Sequence, residues 1–527
     1  MNQVKMRTQV ISPSGTVSTA GAAGAAGVTG SAQVAGISGV AASAMAVGIP
    51  APAMAAGVPA PAMAARIATA EVGDNLVAID PGKVVGKAQK AAKKTVDDMT
   101  MTPFLRKITF FSGGGSFLDG YVLALIGVAL TQIIPHFELT EFWSAAIGAS
   151  VFLGILVGTI VGGYLTDLVG RRTMFIIDVI AIGVFSILSM FAADPLMLVL
   201  ARFFIGVFVG ADYPIATSLI AEFTPKEHRS ISMGWVSAAW YLGATLAAFV
   251  GYVLFSVEDG WKIMLGSAVF PCIILLIGRR DIPESPLWLA SKGRTEEAEK
   301  VMEFVYGEGV ALNVEEQKEE KTSLKKLFQG GYLKRILYLG VFILCQVVPM
   351  YAIYTFGPSI MSAFGLGEGQ ESILGEAAVS LFFLIGTIPA MFWLNSMGRR
   401  KLLLISLAMM AVGLIILGVW PAAPILVVIL AFGLYAFFSG GPGILQWLYP
   451  NELFPTEVRA SAVGIAIAIS RVGTIIATYG TPFVLANFGV GPTMLIAAGL
   501  VVLGWILSFY LAPETRGKSL SEASSLE

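Results

Sequence analysis

Twelve apolar runs constrain this chain more than any other feature. From Phe104 onward they fall near 108–130, 143–165, 174–193, 197–221, 232–255, 262–279, 334–361, 375–395, 402–420, 423–449, 459–485 and 492–511. At 1.5 Å of rise per residue, runs of this size cross the ~30 Å hydrocarbon layer of a bilayer as helices. The composition agrees: 56% of the residues are hydrophobic and 13% charged, against roughly 25% charged in an average soluble domain. The expected fold class is an all-α, multi-pass membrane protein of twelve transmembrane helices, with the lipid bilayer as its surroundings.

The basic residues sort between the loops. Lys83 to Lys107, Arg171 and Arg172, Lys226 and Arg229, the long 279–335 segment, Arg399 to Lys401, Arg459, and Arg516 with Lys518 fall on one side; the other side holds Lys262 alone. The positive-inside rule makes that richer side cytoplasmic, and with it both termini and the connector; the plasma (inner) membrane is the expected location. Three polar landmarks recur: "GRR" at 170–172 and 398–400, Glu222-x6-Arg229 and Glu452-x6-Arg459, and "PES" at 283–285 with "PET" at 513–515. Their offsets of 228, 230 and 230 residues mark an internal duplication. Two six-helix pseudo-repeats are therefore expected, at 104–280 and 334–512, joined by a cytoplasmic connector at 281–333 and followed by a tail at 513–527. In duplicated bundles of this kind the substrate site forms at the midplane between the halves.

Residues 1–100 are of another character. They are Ala- and Gly-rich, and "GIPAPAMAA" at 48–56 is repeated as "GVPAPAMAA" at 57–65. Such a tract has too little side chain to bury and reads as a disordered cytoplasmic extension.

Several function classes are excluded. A net charge of −1 argues against a nucleic-acid partner. His136 and His228 fall in loops and Cys272 and Cys345 in apolar runs, so no metal, cofactor or His-dependent catalysis is expected, and the chain does not read as an enzyme. "APETRGKS" at 512–519 has Ala512 where a nucleotide-binding loop needs its first Gly. Four charges instead lie well inside apolar runs: Asp119, Arg202, Asp212 and Arg471. Each is expensive at that depth and by default marks an ion or substrate path. Asp178, five residues into the third run, is expected to snorkel to the inner surface.

"GGYLTDLVGRR", "RFFIG", "PESPLWL", "NELFPTEVRA" and "PETRGKSL" make the chain resemble the sugar-porter and metabolite:proton symporter branch of the major facilitator superfamily, over roughly residues 105–520. The resemblance implies the major facilitator fold and secondary active transport by alternating access, with a small-molecule substrate and protons as partners and a monomer as the working unit. It implies an inner-face gate in which Asp167, Arg171, Arg172, Glu222, Arg229, Arg400, Glu452 and Arg459 form ion pairs, some of them between halves. It also implies a proton-coupling couple of Asp119 with Arg202, with Asp212, in "GADYP", as a further candidate. The eleventh run faces the central cavity in this fold, and there Arg471 presents a planar fork suited to a carboxylate. Gln346, Tyr351, Tyr354 and Trp447 resemble the polar-aromatic face of sugar porters. Aromatic walls plus one guanidinium describe a pocket for a small organic anion taken up by proton symport. The alternative is a sugar or polyol, if Arg471 pairs with an acid of the protein instead. Phosphate ranks lower, because the seventh run lacks the acid that phosphate symporters place there, and a transporter-like nutrient sensor is the non-transport alternative.

Overall fold

The computed structural model describes residues 6–7, 10–11, 17–18, 68–72, 75–79, 96, 99–307, 310, 331–367, 369–454 and 456–516. Side chains are described for these except at 6–79 and at 163, 167, 214, 217, 218, 221, 226, 227, 229, 230, 451 and 456–461. Twelve of the helices are long and apolar enough to span a membrane: Pro103–His136, Glu141–Thr166, Arg171–Met190, Pro195–Tyr213, Ile231–Leu254, Gly260–Arg279, Tyr332–Ala363, Gln370–Met397, Arg399–Val419, Ile425–Pro450, Ala462–Phe488 and Val490–Leu511. They are the twelve expected spans, named here first to twelfth.

Local chemistry sets where the spans begin and end. Thr102 accepts a hydrogen bond from the Leu105 N–H (3.2 Å) ahead of Pro103, and Asp194 accepts one from Met197 (2.9 Å) ahead of Pro195. Both are N-caps followed by a proline that needs no helical donor. Gly170 and Gly398 stand between the second and third and the eighth and ninth spans, at φ of 107° and 87°, where a side chain would be strained. Within the amino-terminal half the second and fourth spans meet backbone to backbone: a Cβ on Gly154 would fall 2.0 Å from the Phe203 carbonyl. The eighth and tenth spans repeat this contact, Gly386 lying against the Phe437 carbonyl.

Three features differ from the sequence expectation. The sixth span is two helices, Gly260–Ser267 and Val269–Arg279, and its last residue, Arg279, is fully buried although its position suggests a loop. The seventh span breaks at Phe356 (φ −126°, ψ 24°), two residues before Pro358, which has no N–H to continue the ladder. In the amino-terminal tract, Met6–Arg7, Ala68–Val72 and Asn75–Ile79 pair antiparallel, as do Val10–Ile11 and Val17–Ser18. The longer pair flanks Gly73-Asp74, a two-residue hairpin signal between segments containing Thr69, Val72 and Val77; the rest of the expected disordered extension lies outside the described residues.

Candidate functional site

Asp119, halfway along the first span, is 1% exposed. The hydroxyl of Tyr213, from the fourth span, donates to its Oδ2, and Trp240 Nε1, from the fifth, donates to the same oxygen at 2.7 Å. Oδ1 has no protein partner. Arg471, from the eleventh span, approaches from the other half. Its Cζ lies 5.4 Å from the ring centroid of Tyr351 and 5.7 Å from that of Tyr213, and it hydrogen-bonds Tyr351. Guanidinium and carboxylate thus face each other across Tyr213. The guanidinium Nε and Nη1 have no hydrogen-bond partner.

A cavity of about 20 Å³ lies among Tyr213, Ser237, Trp240, Tyr351, Gln446 and Trp447, which come from both halves. That is room for roughly one water, so the pocket is closed around its aromatic walls. Trp447 packs on Tyr213 (5.4 Å between centroids), and Tyr354 packs edge-on against Trp240 (5.1 Å). Of the expected pocket residues, Tyr351 and Trp447 line the cavity, and Tyr354 stands one ring behind it. Gln346 is buried deeper in the seventh span, its Nε2 at 3.9 Å from Met350 Sδ and its Oε1 unpartnered.

The expected Asp119–Arg202 couple does not form. Arg202 is buried, donates through Nε to the Ile147 carbonyl (3.2 Å), and makes no ion pair among the described residues. The reason is axial distance. Arg202 lies eleven residues, about 16 Å of helix, before Tyr213, the residue on its own span that touches Asp119. Asp212, the further proton-coupling candidate, is bound by Arg279 (Nη2–Oδ1 3.3 Å), which also binds Asp178 (Nη1–Oδ1 3.4 Å). Asp178 does not snorkel, because this buried cation is its partner.

At the inner face the duplication is repeated in hydrogen bonds. Glu284 accepts from the backbone N–H groups of Arg171 (2.9 Å) and Arg172 (3.0 Å), and Glu514 accepts from those of Arg399 (3.0 Å) and Arg400 (3.1 Å). Each carboxylate caps a helix N-terminus where its charge is favoured. Burial alone would raise the Glu514 pKa, but N–H donors from Arg516, Arg399, Arg400 and Thr515 outweigh it and hold the carboxyl below its ordinary value. Arg171 pairs with Glu222, and Arg399 with Glu452 (2.9 Å). Ser285 donates to Glu222, and Thr515 to Glu452 (2.5 Å). Arg172 reaches the Arg280 carbonyl (3.0 Å) and Arg400 that of Phe509 (2.7 Å). These contacts stay within one half each; the side chains of Asp167, Arg229 and Arg459, on which the expected pairs between halves turn, lie outside the described residues. Hydrogen bonds join the halves at two levels: Gln370 donates to Ser256 Oγ at 2.9 Å near the opposite face, and Ser237 Oγ donates to the Gly443 carbonyl at 3.2 Å on the inner side of the pocket.

Sequence reasoning missed two buried charges. Arg279 stands beside Arg280 and reads as part of a basic loop. Glu376 is 1% exposed in the eighth span, with neither oxygen partnered and its carboxyl carbon 2.7 Å from where a Cβ on Gly357 would lie. Its position one residue inside the apolar run beginning at 375 was the available signal.

Two six-helix halves with a polar-aromatic pocket between them are the architecture of a duplicated membrane transporter. The chain belongs to the family described as "Sugar (and other) transporter", whose profile matches residues 108–526; it is a transporter and not an enzyme. It is 49% identical to YaaU of Escherichia coli (strain K12) over 82% of this chain and 97% of that protein. It is 28% identical to the arabinose-proton symporter of Bacillus subtilis (strain 168), over 80% and 95%. Its fold is that of the major facilitator superfamily. The xylose transporter XylE from E. coli, in a partially occluded inward open conformation, superposes with a TM-score of 0.68 at 23% identity, covering 79% of this chain and 100% of that one.

Proposed function

We propose that this transporter carries a small, neutral, polyhydroxylated substrate, a sugar or polyol, by symport with protons. The observation that carries this reading is the placement of Asp119 and Arg471 on either side of Tyr213, whose ring lines the pocket. A guanidinium balanced by the protein's own carboxylate asks for no charge from the substrate. Tyr213, Tyr351, Ser237 and Gln446 supply the hydroxyl and amide groups that recognise hydroxyls, and Trp240 and Trp447 supply the apolar faces that lie against a sugar ring. The similarity to an arabinose-proton symporter supports both the substrate class and the coupling. Protonation of Asp119 removes the charge that Tyr213 and Trp240 hold, and a two-state bundle biased in this way passes from one access state to the other. The inner-face networks set the balance between those states. The working unit is a monomer in the plasma (inner) membrane, with both termini cytoplasmic.

The unpartnered Arg471 Nε and Nη1 favour a second reading, a small organic anion bound by that fork once Asp119 is protonated. A thermal-shift panel of purified protein with D-xylose, L-arabinose, myo-inositol, lactate, succinate and phosphate separates the two, since a ligand stabilises by RT ln(1 + [L]/Kd). Stabilisation by sugars or polyols, with counterflow of the same compound in proteoliposomes, supports the neutral reading. Stabilisation by the acids alone overturns it, and binding without counterflow would make the protein a sensor.

A further inference from the structure

The third, fourth and sixth spans each contribute one charge to a second buried site: Asp178 (0% exposed), Asp212 (4%) and Arg279 (0%). Arg279 stands between the acids, at 3.4 and 3.3 Å. It also donates to the carbonyls of Phe175 (2.7 Å) and Phe111 (3.3 Å), and its Cζ lies 3.3 Å from the Phe175 ring centroid. Two carboxylates against one guanidinium would leave an uncompensated negative charge where desolvation is most costly. The first span closes the remaining side. A Cβ on Gly115 would fall 1.6 Å from Asp212 Oδ2 and 2.8 Å from Arg279 Nη2, so no second cation fits there.

Both acids lie within 3.4 Å of the one guanidinium, and among the described residues Asp178 Oδ2 and Asp212 Oδ1 have no hydrogen-bond partner. Ionised carboxylates only accept, so one proton held on either acid supplies a donor and removes the excess charge. The other titratable groups that face the cluster are Cys272 on the sixth span and Asp119 on the first. Neither of these is a base that could neutralise the excess charge.

The duplication shows that the fold does not need this cluster. At the offsets of the inner-face landmarks, Ser406, Pro442 and Phe509 stand where Asp178, Asp212 and Arg279 do. The carboxyl-terminal half packs the same spans without a charge. The cluster also lies between the pocket and the inner face. Asp212 adjoins Tyr213, which donates to Asp119, and Arg279 adjoins Arg280, which is 85% exposed at the inner-face end.

We propose that Asp178, Asp212 and Arg279 form a second proton site, distinct from Asp119, which holds one proton between the two carboxyls and exchanges it with the inner face. Its place in transport rests on the proton-coupled reading above. The test does not, so either can fail alone. Infrared spectroscopy of the purified full-length protein at neutral pH reads the C=O band of protonated carboxyls per mole of protein. Asp178→Asn and Asp212→Asn should each remove one carboxyl from that band, because the remaining acid ionises against Arg279. The double variant should remove no more than either single one, while Asp119→Asn should act independently of both. Single variants that leave the band unchanged, or a double variant that loses two carboxyls, would overturn the shared proton. In the wild-type protein, which carries no folding risk, the band should shift in D2O and lose one carboxyl as pH rises. A band that resists deuteration would show a static proton and overturn the exchange.

Discussion

The two halves agree at the inner face and disagree in the membrane. Glu284 and Glu514 cap equivalent helices, Glu222 and Glu452 hold equivalent arginines, and Ser285 and Thr515 donate to equivalent carboxylates. Deeper along the spans the correspondence ends. The amino-terminal half buries Asp119, Asp178, Arg202, Asp212 and Arg279, whereas the carboxyl-terminal half buries Arg471 and Glu376. What both copies retain is what each bundle needs in order to hold its shape and its terminus. What only one retains is chemistry, because a charge in an apolar span is too costly to keep for packing that the other copy achieves without it.

The largest test of this division is Asp119. A one-unit pH gradient is worth about 1.4 kcal/mol, or about tenfold accumulation for one proton. Asp119→Asn should abolish that accumulation in proteoliposomes and leave counterflow intact. A variant that still concentrates substrate would move coupling to the Asp178–Asp212 cluster. Arg471 comes next. Under the neutral reading the guanidinium is balanced by Asp119 and not by the substrate, so Arg471→Gln should weaken binding of a sugar or polyol about tenfold or less, which is about 1.4 kcal/mol. If the substrate is an anion, the loss should instead reach about 2–5 kcal/mol, as when one partner of a buried charge pair is removed. Calorimetric titration of the two ligand classes against the variant decides between them.

The inner-face repeat predicts equal effects in the two halves. Glu284→Gln and Glu514→Gln should each cost about 1.5–3 kcal/mol, the range for hydrogen bonds to a charged group, read as similar losses in thermal stability. Unequal losses would show that one copy has been relieved of the task. The Glu514 carboxyl is held below its ordinary value of 4.5, so its contribution is fully present above that value and is lost as pH falls through the folded-state value. Acidification should therefore erase the difference between wild type and Glu514→Gln. The smallest expected effect is that of deleting residues 1–95, which should leave transport unchanged; a variant that inserts normally yet fails to transport would assign that tract a role.

The spans, the duplication and the landmark motifs were legible because each rests on local pattern: run length, offset, and turn residues such as Gly170 and Gly398. Asp119 and Arg471 were legible as charges out of place. Partners were not, because pairing depends on axial level and on rotation of packed helices. Arg202 shares a span with Tyr213 yet stands too far along it to meet Asp119, while Arg471 reaches the same site from 352 residues away in sequence. Arg279 was hidden by its neighbour, since a basic doublet at the end of a span looks the same whether one member turns inward or both face water.

The capping glutamates have a mechanical consequence. Each one ties the turn between two spans to the segment that leaves the last span of the same half. This buckles the second and third spans to the end of the sixth, and the eighth and ninth to the end of the twelfth. Each half is thereby held at its inner-face end against splaying. Opening the pocket then requires the halves to tilt as whole bodies, and the hinge work falls on the broken seventh span, where Phe356 and Pro358 have already interrupted the helix.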